Sequence, residues 1–202
     1  MVKGNILAAV LLVTSIFFVV SFSGLIQKNG GDQTKQEQGS VAVAVEPERT
    51  LEVHSGDGKA KLIGIRKQLA DATINYAYKV VDEGADSPRA LFSKTLAVGG
   101  TIEVPVNSWS PDNKQLFVQE NYNGITNYLV YKADGSKYKN GDDYLDVLSF
   151  WAKSKYQYNI KTVTGWAGND LLELLTIKED GTNGPSFWFV TSSRNFLQLR
   201  QI

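Results

Sequence analysis

The chain has 202 residues, 21 basic and 21 acidic side chains, one histidine and no cysteine. Four residues of each sign lie in positions 1–50, which leaves residues 51–202 neutral. A neutral domain without a basic stripe argues against nucleic-acid binding, which depends on neutralising phosphates. The absence of cysteine excludes disulfides, thiolate nucleophiles and cysteine-ligated metal sites.

An uncharged and almost wholly apolar stretch begins at Ile6 and ends at Ile26. As a helix, its 21 residues would extend about 31 Å, the thickness of the hydrocarbon core of a bilayer. A cleaved signal peptide is the alternative, but the stretch exceeds the roughly 7–15 apolar residues of such signals. We therefore expect residues 1–26 to be an uncleaved N-terminal membrane anchor. The rest of the chain would then lie outside the cytoplasm, in the periplasm or at the cell surface.

The composition changes after this stretch. Residues 27–48 are rich in Gly, Gln and Lys and contain no aromatic side chain, which is typical of a flexible linker. Residues 49–202 are numerous enough for one exported domain with a hydrophobic core.

Within this domain a segment recurs three times, starting near His54, Trp109 and Trp166, at spacings of 55 and 57 residues. The middle copy has a polar turn at 110–114, an apolar run at 116–118 and a second apolar run at 128–131. A strand, a tight turn, a strand, a loop and a strand at a fixed spacing indicate a blade-type β repeat.

Turn chemistry explains the polar part of each copy. Pro111 presets φ for a turn, and Asp112 and Asn113 tolerate bridge or left-handed backbone geometry. The residues that we assign to the turns and structural positions of the repeat are His54, Asp57, Gly58, Trp109, Ser110, Pro111, Asp112, Asn113, Trp166, Gly168 and Asn169.

Short alternating runs precede the turns at residues 50–53, 101–104 and 160–163, and residues 89–95 could form an outer fourth strand of the first copy. Four antiparallel strands per repeat are the composition of a propeller blade.

Residues 109–118, followed by an Asn/Gly loop, the run 128–131 and Asp134-Gly135, resemble the TolB-like or WD-like β-propeller repeat family. The same repeat occurs in the propeller domains of prolyl-oligopeptidase-type peptidases. Asn113 stands where that family usually has Gly, Gly56 stands where it has Pro, and the third copy keeps only Trp166. The resemblance implies a binding scaffold of the cell envelope or a substrate-gating domain, without catalysis by the blades.

The expected fold is therefore all-β, with three propeller-blade-like four-stranded antiparallel repeats behind an N-terminal transmembrane helix. Propellers typically close with about 4–8 blades, so that three blades form a partial propeller with unsatisfied edges. A homodimer could complete a six-blade ring, or an insertion at residues 142–151 could cap an end. Apolar residues at 144, 147, 148 and 151 of this insertion predict a short helix with Asp142 as its N-cap, and a strand is the alternative.

Catalysis is not expected. His54 stands where the other copies have Trp, which indicates a structural substitute, and no Gly-x-Ser-x-Gly motif is present. The acidic pairs Asp142/Asp143 and Glu179/Asp180 occur in turn-like stretches, and the oxygen-rich segment 140–146 lacks the spacing of a calcium loop. We predict no catalytic residues, no cofactor and no metal site.

Five tyrosines lie in predicted loops or near strand ends: Tyr122, Tyr138, Tyr144, Tyr156 and Tyr158. They could form a rim that binds a peptide or glycan, or they could cover the core where the repeats meet.

The function expected from the sequence is a non-catalytic, membrane-anchored binding or scaffolding module of the cell envelope. Its partner would be another protein or a second copy of the chain, and not nucleic acid. The alternatives are a small-ligand or glycan-binding domain, and an accessory propeller for a peptidase on another chain.

Overall fold

Twelve strands and one short helix make up residues 46–200, the part of the chain that the computed structural model describes. These residues belong to one compact unit. The predicted membrane anchor and nearly all of the predicted linker lie outside the described residues. No helix within residues 46–200 is long and apolar enough to cross a membrane.

The strands form three four-stranded antiparallel sheets, each built from strands that follow one another in the chain. The first sheet contains β1 (Arg49–His54), β2 (Ala60–Gln68), β3 (Ile74–Asp82) and β4 (Arg89–Leu96). The second contains β5 (Thr101–Glu103), β6 (Gln115–Tyr122), β7 (Ile125–Lys132) and β8 (Leu145–Asp146). The third contains β9 (Asn159–Gly168), β10 (Leu171–Ile177), β11 (Phe187–Val190) and β12 (Asn195–Gln198). The predicted all-β class with three four-stranded antiparallel repeats is confirmed.

The insertion differs from its prediction. Helix α1 (Val147–Ala152) begins after Asp146, whose carboxylate accepts a hydrogen bond from Ser149 N at 2.8 Å. The prediction of Asp142 as the N-cap is wrong, because Leu145 is buried and pairs with Val130 as part of β8. The chain therefore pairs with the second sheet as β8 before α1 begins. The strand interpretation holds for residues 145–146, and the helical interpretation holds for residues 147–152.

The second sheet is buried on both faces. Leu116 and Val118 of β6 pack in a core cluster with the first sheet, whereas Phe117 packs in a second cluster with the third sheet. Successive side chains of a strand point to opposite faces. The three sheets are therefore stacked face to face, with the second sheet in the middle.

Aromatic side chains cross the junction between the first and second sheets. Phe92 of β4 stacks between Tyr78 of β3 and Tyr131 of β7, with ring centroids 4.7 and 4.3 Å apart. The hydroxyl of Tyr78 donates a hydrogen bond to the carbonyl of Ile102 at 3.2 Å. Burial raises the pKa of Tyr78 far above its ordinary value, so that this hydroxyl remains a donor at physiological pH.

The turn before β6 is held by its own side chains. Ser110 Oγ donates to Asp112 Oδ1 at 2.8 Å and accepts from Gln115 N at 2.9 Å. Asp112 Oδ1 also accepts from Lys114 N at 3.2 Å, and Asn113 has the left-handed φ of 58° that the turn requires.

The first copy repeats this turn. Ser55 Oγ donates to Asp57 Oδ1 at 2.8 Å and accepts from Ala60 N at 2.9 Å, and Gly58 has a φ of 73°. These contacts match those of the second copy, although Pro111 has no counterpart in the first. The Ser-x-Asp sequence, rather than the proline, is thus common to both turns.

Tryptophan side chains connect each sheet to the one before it. Trp109 Nε1 donates to the carbonyl of Val53 at 3.2 Å, and Trp166 Nε1 donates to the carbonyl of Ser108 at 2.8 Å. Val53 immediately precedes His54, just as Ser108 precedes Trp109. Trp109 corresponds to His54 of the first sheet, and Trp166 corresponds to Trp109 of the second. Each indole therefore donates to the carbonyl of the residue that precedes its counterpart in the preceding sheet. His54 has no preceding sheet within the described residues, and its side chain is exposed.

The indole bond of Trp166 should contribute measurably to stability. We expect Trp166→Phe to lower the free energy of unfolding by about 1 kcal/mol more than Trp188→Phe does. Both changes remove a similar volume, but of these two indoles only that of Trp166 donates a hydrogen bond to another described residue. Urea unfolding of both variants at one protein concentration measures the difference, and equal losses would contradict the role of this bond.

Substitution by alanine should affect stability differently at two buried serines. The hydroxyl of Ser108 is buried without a hydrogen-bond partner among the described residues, and its counterpart in the first copy is the apolar Val53. We expect Ser108→Ala to leave stability unchanged or to raise it by up to about 1 kcal/mol. Ser110→Ala removes two hydrogen bonds and should cost about 1–2 kcal/mol. Urea midpoints test both, and a destabilised Ser108→Ala would show the prediction to be wrong.

Candidate functional site

A cleft of about 550 Å³ lies where the turns at one end of all three sheets converge. We call it the end cleft. The first sheet lines it with the ends of its β1–β2 and β3–β4 connections, and the second and third sheets line it with their corresponding turns. The lining residues are Ala60, Val80, Asp82, Arg89, Trp109, Asp112, Asn113, Lys114, Gln115, Lys132, Ala133, Asp134, Tyr138, Lys139, Asn169, Asp170, Thr191, Ser192 and Arg194.

Hydrogen bonds between neighbouring sheets hold the turns of the end cleft together. Gly56 N donates to Asn113 Oδ1 at 3.0 Å, which connects the turn of the first sheet to that of the second. Gln115 Nε2 donates to the carbonyl of Asn169 at 3.2 Å, which connects the second sheet to the third. The two bonds span 57 and 54 residues of sequence, so that the relative position of the turns is determined by tertiary contacts.

Arg89 and Asp82 form the main ion pair of the end cleft. Arg89 Nη1 lies 2.6 Å from Asp82 Oδ2, and Nη2 lies 3.2 Å from Oδ1, a bidentate arrangement. Nη2 also donates to the carbonyl of Ala133 in the second sheet at 3.2 Å. The hydrogen bond from Arg89 lowers the pKa of Asp82 below its ordinary value. Asp82 is therefore ionised at neutral pH.

The other carboxylates of the end cleft also accept hydrogen bonds. Burial raises the pKa of Asp134, but the hydrogen bond from Ser136 N and the charges of Lys132 and Arg89 outweigh it and hold this pKa below the ordinary value. Asp170 Oδ2 accepts from Ser192 Oγ at 2.7 Å. These carboxylates can accept hydrogen bonds from a ligand, and the lowered pKa values of Asp82 and Asp134 are the opposite of the raised pKa of a general acid.

Tyr138 and Trp109 provide aromatic surface. The Tyr138 hydroxyl donates to Gln115 Oε1 at 3.2 Å, and Lys132 Nζ lies 5.2 Å from the centre of its ring. Burial raises the pKa of Tyr138 far above the ordinary value, so that the phenol stays neutral. Together with Val80 and Ala133, these rings make an apolar surface beside amide and hydroxyl groups, the composition typical of a small-molecule site.

Four of the eleven predicted turn and structural residues line the end cleft, namely Trp109, Asp112, Asn113 and Asn169. The remaining seven do not: His54, Asp57, Gly58, Ser110, Pro111, Trp166 and Gly168.

The five predicted rim tyrosines have different surroundings. Tyr138 lines the end cleft, whereas Tyr156 and Tyr158 pack on Phe187, with ring centroids 4.6 and 6.1 Å away. Tyr144 packs on Tyr131 at 5.5 Å.

Tyr122, at the end of β6, is 40% exposed. The sequence placed all five in loops or near strand ends, but it could not distinguish residues of the end cleft from residues of the core.

Several residues of the end cleft were not predicted from the sequence, among them Asp82, Arg89, Ser192 and Arg194. Asp82 ends β3 and Arg89 begins β4, so that their ion pair closes the connection between these two strands. Ser192 and Arg194 belong to the turn before β12, a strand that the sequence analysis did not identify.

Within residues 46–200, no three His, Asp or Glu side chains lie close enough together to hold a metal ion. No family model, curated protein or solved structure matches the chain. The TolB-like resemblance therefore stays an interpretation of the sequence.

The ion pair of Asp82 predicts a pH dependence. A carboxyl with a lowered folded-state pKa contributes stability that is complete above its unfolded pKa of about 3.9 and is lost as the pH falls through the lower folded value. We expect Asp82→Asn to reduce the loss of stability between about pH 5 and pH 2. Asp86→Asn, an exposed aspartate in the same hairpin loop, is the control. Urea midpoints across this pH range test the prediction, and identical profiles for the wild type and Asp82→Asn would contradict it.

Proposed function

We propose that the chain is a non-catalytic, membrane-anchored extracytoplasmic binding and scaffolding module, and that the end cleft holds its ligand. The observation that carries the proposal is the convergence of all three sheets on a single cleft of about 550 Å³. This volume lies within the roughly 300–1,000 Å³ typical of small-molecule sites. The uncharged segment at residues 6–26 supports the membrane anchor.

In this proposal the three sheets are successive blades of a partial propeller. Their face-to-face stacking supports this, because each sheet buries its side chains against its neighbour in chain order. The repeated indole bonds of Trp109 and Trp166 also support it, since they relate consecutive sheets in the same way. The resemblance to TolB-like repeats adds a role as a binding scaffold of the cell envelope.

The chemistry of the end cleft favours a polar ligand of low net charge. Its five basic and four acidic side chains nearly balance, and Arg89 and Asp82 already neutralise each other. Aromatic and aliphatic surface lies beside the amides of Asn113 and Gln115. Flat apolar area beside neutral hydrogen-bonding groups suits a sugar ring, and we therefore propose a glycan fragment of the cell wall as the ligand class.

Intrinsic tryptophan fluorescence can test this ligand class, because Trp109 lines the end cleft. Purified full-length protein in detergent is titrated with soluble peptidoglycan fragments. We expect a saturable change in emission. The absence of such a change across concentrations up to the millimolar range would contradict a glycan ligand.

Two neighbouring serines provide matched variants for the site. Ser192 lines the end cleft, whereas Ser193 is exposed in the same turn and does not line it. Ser192→Phe would fill part of the cleft and should weaken binding at least tenfold, whereas Ser193→Phe should bind as the wild type does. The tryptophan content is the same in both, so that one titration compares them. Equal affinities would place the ligand elsewhere.

A further inference from the structure

The outer face of the third sheet is apolar. On β10, Leu172 and Leu174 are buried towards the second sheet, and the residues that alternate with them are half-buried and point away from it. The apolar residues of this outer face are Leu171, Leu175, Ile177, Trp188, Val190 and Leu197. None of the six belongs to a core cluster of the described residues or packs against one. We call them, with Glu173, the third outer face.

The first sheet also has an outer face. Leu62 of β2 is buried towards the second sheet, and the alternating Ile63 and Ile65 point away from it. The register places Lys79 opposite Ile63 and Ala77 opposite Ile65 on that face. Ile63, Ile65, Ala77 and Val81 are absent from the core clusters of residues 46–200. We call this surface, with Glu52, Lys61 and Lys79, the first outer face.

The repeat shows what each of these faces would contact. His54 pairs with Lys61 as Trp109 pairs with Leu116, so that Ile63 of the first sheet corresponds to Val118 of the second. Leu116 and Val118 pack against the preceding sheet. The first outer face thus corresponds to the face of the second sheet that packs against the first sheet.

We infer that the third outer face of one chain packs on the first outer face of a second copy, and that two such junctions close a ring of six sheets. The inference rests on the proposed partial propeller. A pair of chains related by a two-fold axis satisfies both junctions at once and leaves no stacked face open. The binding partner of these faces is therefore a second copy of this chain.

His54 supports this arrangement by its position. The indoles of Trp109 and Trp166 reach the carbonyl one residue before their counterparts in the preceding sheet. In the ring, the third sheet of the second copy precedes the first sheet, and Trp166 of that copy is the counterpart of His54. The carbonyl that His54 would face is therefore that of Gly165, the residue before Trp166. His54 is exposed in the single chain and lies at the end of β1 where this junction would form.

Charge also favours this pairing of faces. Glu173 lies on the third outer face opposite Trp188. On the first outer face, Lys61 is paired with Glu52 of the same face at 3.0 Å, and Lys79 has no ion-pair partner among the described residues. The junction between the first and second sheets already contains such a pair, since Lys94 Nζ lies 2.5 Å from Glu120 Oε2. The third outer face, with its acidic Glu173, therefore pairs more favourably with the face that carries Lys79 than with a second copy of itself.

Chemical crosslinking tests the junction, because the natural chain has no cysteine. Full-length Ile65→Cys and full-length Leu175→Cys are purified in detergent, mixed and treated with a short bifunctional thiol reagent, since stacked sheets lie about 10 Å apart. We expect a crosslinked dimer from the mixture and none from either variant alone. Val106→Cys, at a position that is 94% exposed, replaces Ile65→Cys as the control and should give no dimer.

The chain that carries both Ile65→Cys and Leu175→Cys tests closure. A closed ring gives dimers and nothing larger, whereas a ladder of larger species would overturn closure. No dimer from the mixture would overturn the pairing of the two faces. The faces would then be covered by another segment of this chain or by a different protein.

Solution mass provides an independent test. Light scattering with the detergent contribution removed should give twice the 22.3 kDa of the chain. Leu197→Lys, at a position on the third outer face that is 51% exposed, should halve this mass, and Val106→Lys should leave it unchanged. A wild-type monomer, or a dimer unaffected by Leu197→Lys, would overturn the inference.

The two proposals can fail separately, because the residues of the end cleft all come from one chain. A monomer that still binds peptidoglycan fragments overturns the ring and leaves the end cleft as the ligand site. A dimer with the expected crosslinks but without binding supports the ring and overturns the ligand.

Discussion

The architecture depends on a middle sheet that is buried on both faces. A strand exposed to solvent on one face alternates apolar and polar residues, but Leu116, Phe117 and Val118 are consecutive and all fully buried. Leu116 and Val118 pack with the first sheet, and Phe117 packs with the third. This double burial stacks the three sheets in chain order, brings their turns together at one end and so forms the end cleft. It also leaves the two outermost faces without a neighbour among the described residues.

Directional polar contacts position the sheets that apolar packing has stacked. Burial of apolar surface is non-directional and would tolerate sliding of one sheet over another. The indole bonds of Trp109 and Trp166 and the side-chain bonds of Asn113 and Gln115 each require one relative position. The latter two lie in the turns that line the end cleft. The contacts that fix the stacking thus also shape the proposed ligand site and hold its turns in one relative position.

Much of the local structure was predictable, and particular residues show where prediction stopped. Turn residues such as Asn113 were identified because their backbone preferences are local, and the strand at residues 89–95 was identified from its composition. Asp142 was predicted as the N-cap of α1 instead of Asp146, because the pairing of Leu145 with β7 depends on tertiary structure. The strand β12 was missed because its four residues contain little periodic signal. In the end cleft, Trp109 and Asn169 were recognised as repeat positions, but nothing in the sequence indicated that they face Asp82 and Ser192 across one cavity.

The sequence by itself determined the all-β class, the three repeats and the turn positions, because strand alternation and turn chemistry depend on neighbours within a few residues. It also showed a neutral, cysteine-free domain that follows an apolar segment. Only the tertiary structure decided which faces are buried, which tyrosines contribute to the core and which line the end cleft, and that His54 lies exposed at the first sheet. These features arise from contacts between residues that are distant in the sequence, and such contacts form only when whole sheets fold and stack.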